Sequence, residues 1–113
     1  MADRDALEVR LNAILDPYRD RLEAATIYNI PVLRRSDAKA HNWFAGVQRA
    51  DPSVKFNFLP MYEHPELLEG VSTALLKKRT GASVFKFRAI DEELFAELES
   101  LVARAFETYT RSM

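Results

Sequence analysis

Along residues 3–24 the apolar side chains return every three or four positions: Leu7, Leu11, Ile14 or Leu15, Tyr18 and Leu22. That period predicts an amphipathic helix with one apolar stripe. Asp16-Pro17 falls inside it, an N-cap type followed by a residue suited to the first helical position. Either a second helix restarts there or one helix kinks. The period then changes. Thr26–Leu33, TIYNIPVL, is β-branched and aromatic and predicts a strand. Pro31 has no N–H to donate, so it marks a bulge, an end or an edge. Arg34–Lys39 is a polar turn. Ala40–Gln48 predicts a second strand, with Trp43, Ala45 and Val47 on one face and Phe44 and Gly46 on the other. After the turn Ala50–Ser53, Val54–Leu59 alternates, with Val54, Phe56 and Phe58 set against Lys55 and Asn57. This is the pattern of an antiparallel strand buried on one side.

A helical run is predicted from Pro65, with Leu67, Leu68, Val71 and Leu75 apolar and Ser72 as a fresh N-cap after Gly70. Lys77, Lys78 and Arg79 fall in its last turn, where cations favour the helix dipole, and Gly81 lies just past the end. Ser83–Arg88 predicts the next strand, Phe85 and Phe87 on one face and Val84, Lys86 and Arg88 on the other. Asp91 caps a final helix whose stripe is Leu94, Phe95, Leu98, Leu101, Val102, Ala105, Phe106 and Tyr109. The order α-β-β-β-α-β-α predicts an α+β two-layer sandwich: an antiparallel sheet of about four to five strands with helices on one face, one domain over residues 1–113.

Composition narrows the chemistry. The chain of 113 residues has no cysteine. Disulfides, thiolate catalysis, Fe–S clusters and cysteine-based zinc sites are thereby excluded. No apolar run approaches the roughly 20 residues of a membrane span. The first residues, MADRDALEVR, are charged where a signal peptide needs an apolar core. The expectation is a cytoplasmic protein that does not engage the membrane. Net charge is −1, but it is uneven: −2 over residues 1–24, +5 over residues 25–90 and −4 over residues 91–113. Acidic ends around a basic middle imply either internal complementarity or an anion-binding sheet face.

There is no GxSxG, GxGxxG or P-loop, and the two histidines, His41 and His64, lack HxxxH spacing. Those histidines and Tyr62 are the candidates for a general acid or base, yet no oriented partner accompanies any of them, so an enzyme is not the expectation.

A resemblance emerges over MYEHPELLEG, LLKKRTG, the aromatic strand SVFKF, and IDEELFAEL. Upstream, TIYNIPVLRR, HNWFAGVQ and KFNFLPMY continue it, so it spans nearly the whole chain from about Thr26. In these segments the chain resembles the bacterial YdhG-like family of unknown function, one branch of which is described as frataxin-like iron chaperones. The resemblance implies an α+β fold related to frataxin and supplies no catalytic residues. It also implies iron as an alternative cofactor, held through carboxylates of the first helix, Asp16, Asp20 and Glu23, which supply the oxygen ligands that hard cations prefer.

The leading candidate site is on the sheet. Lys55, Lys86 and Arg88 share the face opposite the phenylalanines, with Asn57 among them and Tyr28, His41 or Trp43 beside them according to register. Cations beside aromatics suit a small anionic or carboxylate ligand. The expectation is a small binding module with no cofactor, and a homodimer through Trp43 is a candidate assembly. Nucleic acid is disfavoured, because the glycine–aromatic signature of single-strand RNA binders is missing and net charge is slightly negative.

Overall fold

The structure, a computed structural model, describes residues 3–27, 30–34, 43–50 and 53–111. Helix α1 runs over Asp3–Leu15 and buries Leu7, Leu11, Ile14 and Leu15. It stops where the sequence stops favouring it. Pro17 restricts Asp16, and Asp16–Tyr18 tightens into a 3₁₀ turn. The expected continuation to residue 24 is replaced by strand β1, Glu23–Ile27, which pairs with β2, Ile30–Arg34, from Glu23↔Arg34 to Ile27↔Ile30. The single strand expected over Thr26–Leu33 is therefore a hairpin. Its sequence signal was Asn29, a turn-forming residue type. Tyr28 and His41, both expected beside the sheet cations, lie outside the described residues.

Strand β3 is Trp43–Ala50 and β4 is Ser53–Phe58, paired from Ala45↔Phe58 to Ala50↔Ser53. Between β2 and β3 the register moves from Leu33↔Ala45 to Arg34↔Trp43, one step on β2 against two on β3. Phe44 is the extra residue of that bulge. The bulge corrects the expected alternation: Phe44 points into the core with 0% exposure, against Phe58, Phe106 and Tyr109 at centroid distances of 5.9, 5.7 and 5.3 Å. Tyr18 joins this cluster 4.7 Å from Phe106, and burial, with a smaller push from the Glu99 charge, holds its phenol above the usual pKa.

A short helix α2, Pro60–Glu63, precedes Pro65; the helical run expected after it breaks at Gly70 as expected, but into two single turns, a 3₁₀ turn Pro65–Leu68 and α3 Thr73–Leu76, without the longer second piece. Ser72 caps α3 as expected, its Oγ accepting from Leu75 N–H at 3.2 Å. The helix ends at Leu76; Lys77 and Lys78 form the turn that follows, and Arg79 opens β5, Arg79–Gly81, a hairpin partner of β6, Val84–Phe87. The described sheet has six antiparallel strands in the order β1-β2-β3-β4-β6-β5, not four to five. Helix α4, Glu92–Arg111, buries all eight residues of its expected stripe, and Asp91 Oδ1 accepts from Leu94 N–H at 3.2 Å as its N-cap.

The buried hydrophobic residues of α1, α4 and the sheet form one cluster. On the sheet it is built from Val54, Phe56, Phe58, Phe85 and Phe87, so α1 and α4 lie on this face and Lys55 and Lys86 point away from it. Arg10 joins the two helices. It grips Glu92 through both carboxylate oxygens at 2.8–3.1 Å, and its guanidinium lies 5.5 Å from the Phe95 ring centroid. No helix among the described residues is long and apolar enough to cross a membrane.

Candidate functional site

The sheet ladder sets the candidate residues against one another. Lys55 on β4 is directly opposite Lys86 on β6, and on the other side of Lys55 stands Gln48 of β3. The ladder extends to the edge, where Lys86 N–H donates to Lys78 O at 2.8 Å. A row of Gln48, Lys55, Lys86 and Lys78 thus crosses the sheet. Lys55 and Lys86 are half-exposed and find no carboxylate among the described residues. Like charges directly opposite each other in a sheet are destabilising.

The neighbouring row is Gly46, Asn57 and Val84. Asn57 is 5% exposed, and its Nδ2 is buried without a hydrogen-bond partner among the described residues. A buried amide donor left unpaired is costly and is rare in native proteins. The two rows together carry a surplus of donors and no described acid.

The other expected residues are placed less favourably. Arg88 is exposed, one residue past β6 and two from Lys86. Trp43 is half-buried at the start of β3, five residues from Gln48, which is about 16 Å along an extended strand. Its bulged neighbour Phe44 takes the core, and Trp43 stands apart from the lysine row. Lys78 was missed because KKR reads as a helix end. The available signal was the hairpin pattern in which Gly81-Ala82 separates a short polar run from SVFKF.

The carboxylates expected to hold a metal do not converge. Asp16 receives the Nε of Arg19 at 2.7 Å, and Glu23 faces Arg34 at 3.3 Å. Asp20 is exposed in the turn that follows the 3₁₀ segment. Among the described residues, no three or more His, Asp or Glu side chains gather where they could hold a metal ion. The acid–base candidates are also scattered. His64 lies 3.5 Å from Glu66 beside a 3₁₀ turn, and Tyr62 is exposed on α2.

A cleft with no signature in the hydrophobic pattern lies on the helix-bearing side of the sheet. It is half-enclosed between α1 and the β1–β3 strands, with a volume of about 340 Å³. Glu8, Asn12 and Arg19 stand at its polar side, and Leu15, Leu33 and Val47 contribute apolar walls. Its space comes from small residues, Ala24, Ala25, Ala45 and Gly46, which a reading of hydrophobic period does not weigh. The chain matches no family model, no curated protein and no solved structure.

Proposed function

We propose that this protein is a small binding module for an anionic ligand, phosphate-like or carboxylate, seated on the polar face of the sheet across Lys55 and Lys86. The observation that carries the reading is the cross-strand Lys55↔Lys86 pair, which has no carboxylate partner among the described residues. Repulsion within that pair is relieved when an anion bridges the two ammonium groups. The Nδ2 of Asn57, two residues from Lys55 and without an acceptor among the described residues, supports the same reading.

The pair leaves a signature in stability as well as in binding. Lys86→Gln removes a repulsion, so in low-salt buffer the variant is more stable than the parent by up to about 1 kcal/mol. It should bind inorganic phosphate and citrate at least about tenfold more weakly, the scale of one charge-assisted hydrogen bond. Thermal melts with each anion, together with amide shifts at Gln48, Lys55, Asn57 and Lys86, measure both effects. If Lys86→Gln and Arg88→Ala leave phosphate and citrate binding unchanged, the site is wrong.

A further inference from the structure

The cleft beneath α1 is distinct from the lysine row, since it opens among Glu8, Asn12 and Arg19 on the helix-bearing side of the sheet. Its polar side is ordered by a chain of contacts. Asn12 Nδ2 donates to Glu8 O at 3.1 Å, and Arg19 Nη2 donates to Asn12 Oδ1 at 2.9 Å. Arg19 also donates from Nε to Asp16 at 2.7 Å, which fixes the plane of the guanidinium. Nη1 is left without a partner among the described residues. Glu8 Oε1 faces Arg49 Nε at 3.3 Å, and its second oxygen has no described partner. Asn12 thus ties Arg19 to the main chain of α1 at Glu8, while the Glu8 carboxylate, held on one oxygen by Arg49, and the Arg19 guanidinium each keep a polar atom with no described partner.

Below this polar side the cleft is walled by short aliphatic groups on the core face: Leu15, Leu33, Ala45 and Val47. Small-ligand pockets run from roughly 300 to 1,000 Å³, and this one is at the lower end of that range. A nucleotide is too large and too anionic for it, and a sugar would leave the aliphatic walls uncovered. We infer that the cleft is a second binding site, for a small zwitterion of the aliphatic α-amino acid class. The ammonium lies toward Glu8, the carboxylate toward Arg19 Nη1, and the hydrocarbon side chain enters between α1 and β3.

The test is an amide-shift titration of the full chain with L-leucine. Leucinol, which lacks the carboxylate, and 4-methylpentanoate, which lacks the amine, serve as controls. L-leucine should shift the amides of Ala24, Ala45 and Val47, and both controls should bind at least about tenfold more weakly. The register sets Ala24 opposite the core residue Leu33, so Ala24→Leu fills the cleft and should abolish the shifts. Arg19→Gln should weaken binding by about tenfold or more, and Lys86→Gln should leave it unchanged. Absence of shifts at millimolar L-leucine overturns the inference. So does leucinol binding as tightly as leucine, or undiminished binding in a folded Ala24→Leu variant. Should Ala24→Leu not fold, Arg19→Gln and Glu8→Gln change half-exposed groups only and decide the matter alone.

Discussion

Gly46 is the residue with least freedom to change. A β-carbon there would lie 2.0 Å from the carbonyl oxygen of Pro31 and 2.9 Å from Val32 Cγ1. The first obstacle is backbone and cannot rotate away. Gly46→Ala should therefore cost about 1–3 kcal/mol or more in urea unfolding, the range for an overpacked site. The glycine was visible in the sequence as a bulge or a close approach, but nothing there named Pro31 as the atom approached. At Glu92 the informative variable is pH. The hydrogen bonds from Arg10 hold its carboxyl below the usual carboxylate range, with the Arg10 charge a lesser cause that acts the same way. A depressed folded-state pKa gives stability that is present above the unfolded value and lost as pH falls through the folded one. Glu92→Gln should accordingly melt below the parent at neutral pH, and the gap should close as pH falls below the carboxylate range.

Among the elements, α1 and α4 were legible because a single apolar stripe requires a partner, and α4 buries every residue of its stripe. What failed was the assignment of short pieces. Residues 60–76 carry helical residues without a helical length, so they fold as single turns held by neighbours. Ser72 shows how such a turn persists: its Oγ caps α3, while its N–H and Oγ donate to the two oxygens of Glu97 at 2.6 and 2.5 Å. Ser72→Ala removes both the cap and a link to α4 and should cost about 1–2 kcal/mol. Glu97→Gln should cost less, and the double variant should fall short of the sum, because the two side chains share one network. A urea-based double-mutant cycle measures that coupling.

For the whole molecule, alternation in Val54–Leu59 and Ser83–Arg88 correctly separated a phenylalanine face from a lysine face. That division is the part of the candidate site legible in advance, since it needs only the period of a strand. Which lysine faces which depends on register, and register is set by turns and bulges that composition does not reveal. Trp43 shows the cost: the bulge at Phe44 left it away from the row it was expected to join. The cleft was less legible still. It is defined by small side chains from β1 and β3 meeting under α1, and no single stretch of chain contains that coincidence.

The strand order β4-β6-β5 also constrains how the chain can be made. β5 leaves the ribosome before β6, yet β6 is its only described neighbour, so residues 79–81 have no sheet to join when they emerge. Until β6 arrives, β4 is an open edge that carries Val54, Phe56 and Phe58, the kind of template on which a second chain adds its own strand. Synthesis interrupted between the two strands would yield a product prone to stick to its copies. The four residues of β6 are thus the seal of the sheet as well as one of its members.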